Sequence, residues 1–180
     1  MSPYWILRTA RLVLSPVGGG DLPDLRAIKA DPRVFAIMLG GVRSPERTEA
    51  ELAEDVIGWG ANGFGMWAVR ETPDDRFVGI AGLERRPDGR GVALRFALWP
   101  EAQGRGLARE AAGAALRFGH ERGRLRRIVA VAREANFASR TVLGGIGMTE
   151  CDSFVQQGYR MLMYESVVSL PPGQPADAWR

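Results

Sequence analysis

The sequence predicts an α+β fold, a central mixed and mostly antiparallel sheet flanked by helices. Two observations carry that expectation. Apolar periodicity changes from near four in "SPERTEAELAEDVIGWGANG" to two across "FGMWAV", "FVGIAGLERR" and "GVALRFALW". The chain then runs helix, strand, helix, strand, which embeds one strand–helix–strand crossover in an otherwise antiparallel pattern.

Each element has its own signal. "ARLVLSPV" alternates apolar residues and reads as the first strand; "GGGD" breaks it, and Asp21 or its neighbours can cap a helix over "LPDLRAIKAD". Ser44 is the N-cap of the next helix, with Pro45 at its first position and Leu52, Val56 and Trp59 as its apolar stripe. Three strands follow, joined by turns of hairpin length, "ETPDDR" and "PDGR". "WPEAQGRGLAREAAGAALRFG" opens the crossover helix, which ends near "HERGR". "RRIVAVA" is a short strand, "NFASRTVLGGIG" a short helix stopped by glycines, and "YRMLMYESVV" the last strand. Residues 1–168 read as one domain, and the proline-rich 169–180 reads as a C-terminal tail.

Composition narrows the classes of function. A chain of 180 residues can bury a core without staples, and its 46% hydrophobic and 25% charged residues are those of a soluble globular protein. No apolar run approaches the ~20 residues of a membrane span, and the N-terminus lacks a signal-peptide layout, so a cytoplasmic location without membrane contact is expected. Cys151 is the single cysteine and His120 the single histidine, which excludes an internal disulfide and a soft-metal cluster; both read as inert packing, and no metal is expected. Of the 24 basic residues only Lys29 is lysine, yet a net charge of +3 is too small to argue for nucleic acid.

The chemistry concentrates at Gly104-Arg105-Gly106. Glycine inside a helix costs roughly 1 kcal/mol against alanine, so these two should stand before the helix rather than in it. There, free backbone N–H groups and the positive end of the helix dipole make an anion site. A tight turn with close helix–sheet packing would use the same residues, and spacing alone leaves both open. Two nucleotide motifs fail: the Walker pattern needs a Gly-Lys-Ser/Thr ending, and G-x-G-x-x-G meets Arg109 at its third glycine.

Gln103-Gly104-Arg105-Gly106-Leu107-Ala108 resembles the Q/R-x-x-G-x-G/A pyrophosphate loop of the GNAT N-acetyltransferases. "RTARLVLSP" followed by "DLPDLRAIKADPRVF" is similar to the opening of the RimJ/RimL-like branch of that superfamily. Asn136, Ser139, Val142, Leu143 and Gly147 match that branch's N-x-x-S-x-x-V-L-x-x-x-G stretch. The likeness spans roughly residues 8–168. It implies the GNAT acyl-CoA N-acyltransferase fold, with the fourth and fifth strands ("VALRFALW" and "RIVAVA") splayed apart, and acetyl-CoA as cosubstrate.

Residue by residue, the resemblance implies that the amides from Gln103 to Ala108 hold the pyrophosphate. Arg105 and Arg109 would add charge-assisted bonds, and Arg140 would reach the 3′-phosphate. Backbone groups of residues 96–99, Leu98 and Trp99 among them, would pair with the pantetheine arm, and an N–H near Leu98 would face the developing oxyanion. Asn136 would contact pantetheine or the strand backbone. Many relatives place a tyrosine proton donor where this chain has Val142, so Ser139 is the substitute donor, with a helix-cap hydroxyl as its plain alternative. Relatives often carry a glutamate seven residues before the proline of the fourth strand. That position is Ala93, which leaves Glu84, late in the third strand, as the nearest acidic replacement.

The expected activity is therefore acetyl-CoA-dependent acetylation of a primary amine, with a protein or peptide N-terminal α-amine as acceptor. An antibiotic or polyamine acceptor, or a degenerate acyl-CoA-binding protein, are the alternatives. The acceptor should lie between the helical pair and the three-stranded meander, near Trp59, Phe64 and Trp67. Monomer and homodimer are both compatible with the sequence.

Overall fold

The structure, a computed structural model, describes residues 2–169. In chain order its elements are β1 (Leu7–Arg8), β2 (Leu12–Pro16), α1 (Leu22–Ala30), α2 (Pro32–Phe35), α3 (Pro45–Asn62), β3 (Met66–Glu71), β4 (Arg76–Arg85) and β5 (Val92–Leu98). They continue with α4 (Leu107–Glu121), β6 (Arg127–Arg133), α5 (Phe137–Gly145), β7 (Thr149–Gln156) and β8 (Tyr159–Val167). All eight strands form one sheet in the order β1-β2-β3-β4-β5-β6-β8-β7. Every neighbouring pair is antiparallel except β5 and β6, the two strands joined by the α4 crossover. The expected mixed, mostly antiparallel sheet is thus present, with the crossover at its centre.

Strand alternation sends side chains to two faces. Trp67 and Val69 of β3 join the core under α4, where Trp67 and Phe118 meet edge to face at 5.0 Å between ring centroids. Met66 and Ala68, one residue out of phase, join a second core with Leu25, Ile28, Phe35 and Leu52 from α1, α2 and α3. The alanines of α4 let that helix lie close to the sheet. At Gly119 a Cβ would sit 2.5 Å from the Ile128 terminal methyl and 2.7 Å from a Leu83 methyl, so any side chain there would push both aside.

Five details depart from the sequence reading. A short helix, α2, follows α1 because Asp31 restarts the chain, its carboxylate accepting from the Arg33 N–H at 2.8 Å. Asp21 precedes α1 without capping it; its carboxylate accepts from the Gly18 N–H at 2.8 Å. The last strand is one arm of a hairpin, since β7 precedes it; β7 is exposed along nearly its whole length and so shows no alternation to read. Cys151 lies on that strand and is exposed, not packed. On α3, Ser44 caps and Pro45 opens the helix as expected, but Val56 is 48% exposed. The inward stripe is Thr48, Leu52 and Trp59, and Asp55 occupies the place on it between Leu52 and Trp59. Apart from Ser169, the expected tail lies outside the described residues.

Candidate functional site

The crossover positions the first part of the site. A turn of 3₁₀ helix over Pro100–Ala102 ends β5, and the chain then passes Gly104 and Gly106 at φ of +72° and +76° before α4 begins. Side-chain-bearing residues rarely adopt that left-handed backbone, which explains glycine at both positions. Among the described residues, the backbone N–H groups of Gly104 through Arg109 donate to no acceptor. Six successive free donors at a helix N-terminus form an anion cradle. The Gln103 N–H does not belong to it, because it donates to the Pro100 carbonyl at 3.1 Å; its side chain instead donates to the Leu98 carbonyl at 3.2 Å.

The cradle is braced from the turn between β1 and β2. Glu110, in the first turn of α4, accepts from the Arg11 N–H at 2.9 Å, from Arg11 Nε at 2.8 Å and from the Thr9 hydroxyl at 2.6 Å. Burial raises the Glu110 carboxyl, but these donors outweigh it and leave the pKa lowered. Arg11 also donates to the Arg105 carbonyl at 2.8 Å, which fixes the loop from behind.

The expected arginines are differently engaged. Arg105 turns away onto Glu71, with Nη1 donating at 3.0 Å. Arg109 lies over Gly145 at the end of α5, where a Cβ would meet its Nε at 3.2 Å. Arg140 donates to the Glu134 carbonyl at 2.9 Å and to the Tyr164 hydroxyl at 3.3 Å, and stacks over Phe137.

Beside the loop, β5 and β6 part. They pair only at Val92↔Ile128 and Ala93↔Val129, so from Leu94 onward β5 has no ladder partner on that side. The Trp99 N–H donates to Val78 of β4 at 3.0 Å and the Trp99 carbonyl accepts from Ala102 at 2.9 Å. The Trp99 N–H is therefore committed to β4, and its carbonyl already accepts one bond. Because peptide groups alternate sides along a strand, the N–H groups of Leu98 and Phe96 face the gap.

A cavity of about 570 Å³ opens on the far side of that gap, between α3, α5 and strands β4, β5 and β6. It brings together Asn136, Ser139 and Glu84, which the sequence had singled out separately. Asn136 caps α5, its Oδ1 accepting from the Ser139 N–H at 3.1 Å. The cap is thus Asn136, and the Ser139 hydroxyl makes no hydrogen bond among the described residues. Glu84 stands directly across the ladder from Ala93, so its carboxylate rises from the same sheet face one strand away from the missing glutamate. It accepts from Arg95 Nη1 at 2.5 Å.

Charged residues that the sequence reading did not select complete the wall. Lys29, 5% exposed, donates to Glu51 at 2.8 Å, and Arg43 donates to the same carboxylate at 2.8 Å. Burial raises the Glu51 carboxyl, but the Lys29 ammonium and Arg43 guanidinium prevail and hold it at about 2. Asp55, one turn further along α3, has no hydrogen bond or ion pair among the described residues. Burial pushes its carboxyl up to about 7; the charges of Glu84 and Glu51 add to this, and those of Lys29 and Arg95 oppose it. The signal for Asp55 was in the sequence, as an acid on the inward stripe of an amphipathic helix. Trp59, Phe64 and Trp67 all belong to the core, the two tryptophans with ring centroids 4.7 Å apart, and Phe64 also lines the cavity. His120 is held by the Leu125 carbonyl and the Ser166 hydroxyl, away from the site. No helix among the described residues is long and apolar enough to cross a membrane, and they contain no cluster of metal-ligating side chains.

Comparison with known proteins agrees on the fold. A family model described as "Acetyltransferase (GNAT) domain" matches residues 11–149. An acetyltransferase from Agrobacterium tumefaciens superposes with a TM-score of 0.79 at 27% identity, covering 89% of this chain and 93% of that one. A GnaT-family acetyltransferase from Bordetella pertussis gives 0.77 at 25% identity, over 89% and 98%. RimL, a ribosomal L7/L12 alpha-N-protein acetyltransferase solved in complex with coenzyme A, gives 0.75 over 91% and 98%, at 19% identity.

Proposed function

The chain belongs to the GNAT acetyltransferase family, and from that premise we propose that it transfers the acetyl group of acetyl-CoA to the α-amine of a protein or peptide N-terminus. The observation that carries the cosubstrate is the row of free amides from Gly104 to Arg109 at the mouth of the β5–β6 gap. A pyrophosphate fits that cradle, since two left-handed glycines leave its floor free of side chains. The gap-facing N–H groups of Phe96 and Leu98 would then hold the pantetheine arm. Acetyl-CoA supplies an electrophilic thioester carbon whose leaving thiol has a pKa of about 8.5 and needs little assistance.

In this reading Leu98 offers an N–H to the oxygen that gains charge, and Ser139, with its hydroxyl uncommitted, returns a proton to the departing sulfur. Asn136 fixes Ser139 by capping α5. Glu84, steadied by Arg95, draws the cationic acceptor into the cavity.

The acceptor class follows from the missing glutamate at Ala93. An α-amine has a pKa of about 8 and a lysine amine about 10.4, so at neutral pH a far larger share of the first is already neutral. A site without the family's usual base can use the α-amine far more readily. Thiol release should be measured with acetyl-CoA and two peptide sets, one with free N-termini and one N-terminally blocked but containing lysine. Free N-termini should be the better acceptors by at least tenfold, with rates rising toward pH 8. Equal rates would remove the α-amine preference. Turnover only with polyamines or aminoglycosides would reassign the acceptor to a small molecule.

A further inference from the structure

The cavity lining holds one half-buried acid with no assigned work, Asp55; its neighbour Glu54 is exposed. Asp55 lies on the inward stripe of α3, between Leu52 and Trp59, where packing alone would place an apolar side chain. An unpaired carboxyl in such a place has a cost in stability, and neither the core nor any ion pair uses it. Every other cavity carboxylate described above has an ion-pair partner: Glu51 has Lys29, Arg43 and Arg47, and Glu84 has Arg95. Asp55 shares the cavity with Glu84 and Ser139, and no donor blocks its oxygens.

We propose that Asp55 is the group that removes the proton from the acceptor ammonium, a catalytic role contributed by helix α3 in place of the glutamate absent from β5. The inference rests on the acetyl-transfer reading above. The steps balance as follows. The ammonium gives one proton to the Asp55 carboxylate and becomes a neutral amine. Its lone pair forms the N–C bond to the thioester carbon, the C–S bond breaks, and sulfur leaves with the electron pair. The second nitrogen-bound proton ends on that sulfur through Ser139, and Asp55 returns its own proton to water.

The surroundings suit that exchange. The charged groups facing Asp55 are Lys29 from α1, Glu51 from its own helix, Glu84 from β4 and Arg95 from β5, two of each sign. With burial they bring its carboxyl to about 7, roughly one unit below an α-amine and more than three below a lysine amine. Uphill transfer by about one unit costs roughly tenfold, which a turnover cycle tolerates. The same acid would be a poor base for lysine.

The test is Asp55→Asn, compared with the native protein by thiol release between pH 6 and 9 and by calorimetric titration of coenzyme A. The substitution keeps the shape and removes a buried charge, so the fold should persist; thermal unfolding checks this. Turnover at pH 7 should fall about 100-fold with coenzyme A affinity within twofold. The limb near pH 7 should vanish, and the deficit should narrow toward pH 9 as the amine deprotonates unaided. Native-like turnover and profile in a folded Asp55→Asn protein would overturn the role of Asp55 alone. A native protein that releases no thiol with any amine would overturn the acetyl-transfer reading, and this inference with it.

Discussion

The loop at the start of α4 and the carboxylate wall of the cavity are built on opposite principles. The loop is local: six consecutive residues, Gly104 to Arg109, supply the donors, and backbone geometry does nearly all of it. The wall is assembled from α1, α3, β4 and β5, and its chemistry lies in side chains that meet only after folding. A backbone site depends on which residues permit a conformation. A side-chain site depends on which charges neutralise which, and its electrostatics follow from the pairing. Glu51 and Asp55 show this within one turn of α3. Both are partly buried carboxyls on the same wall, yet one is held at about 2 and the other raised to about 7. What separates them is the cationic partners that Glu51 has and Asp55 lacks.

If the loop works through backbone alone, the largest effect should come from a change that leaves every charge in place. Gly106→Val puts a β-branched side chain at φ of +76°, where, among the described residues and its chain neighbours aside, its Cβ would meet only Arg11 Nη2 at 3.5 Å. Space is therefore not the obstacle. The strain of about 1–3 kcal/mol is relieved when the loop moves, and the moved loop no longer aims its donors together. Coenzyme A affinity should fall about 100-fold or more by calorimetry, in a protein that still melts cooperatively. Unchanged affinity would show that the arginines hold the anion and the amides do not.

The wall should respond to charge and little to shape. Glu51→Gln leaves Lys29 buried beside Arg43 with no anion between them, and removing one partner of a buried pair is more costly than the pair was worth. Because amide hydrogen bonds and cavity water replace part of the loss, we expect about 2 kcal/mol of destabilisation near pH 7. The pH dependence gives the sign. Glu51 is lowered from 4.5 to about 2, so its contribution is complete above 4.5 and is lost as pH falls toward 2. The difference between native and Glu51→Gln in denaturant unfolding should therefore shrink across that window. A difference that stays constant down to pH 2 would mean that Lys29 and Arg43 do not depend on the carboxylate.

The same contrast explains what the sequence could show. Gly104 and Gly106 announce the loop because a backbone requirement is written in consecutive letters, and the strand periods announce the sheet for a like reason. The splay of β5 and β6 came only through family resemblance, since no residue in either strand signals where pairing stops. β7 was missed because a strand exposed on both faces has no period, and α2 because four residues carry too little pattern. On α3, the apolar spacing of Leu52, Val56 and Trp59 suggested the wrong stripe. Leu52 and Trp59 fit a second choice at position 55, and the acid there was not singled out. Glu84 was legible as a candidate through its place near a strand end, but its register opposite Ala93 is a fact of pairing. Trp99 shows the same limit: that its N–H is spent on Val78 of β4 is a fact of pairing, not of the letters around it.

The smallest effect sits where the two regions' principles meet, at Arg105, a charged side chain on the backbone loop. Both Arg105 and Arg76 donate to Glu71, and these hydrogen bonds hold that carboxyl at about 2, so the pairing persists at any working pH. Exposed pairs of this kind contribute little to stability. While paired, Arg105 cannot point at a phosphate; freed, it is a mobile cation next to one. Glu71→Gln should therefore tighten coenzyme A binding by about twofold at low salt, since a solvent-screened charge at the rim contributes little. The gain should fade at 0.5 M salt, whereas the loss in Gly106→Val should not. Weaker binding in Glu71→Gln would instead make the Arg105–Glu71 pair a strut that holds the loop in its donor-converging shape. The loop would then be less purely a backbone site than its six free amides suggest.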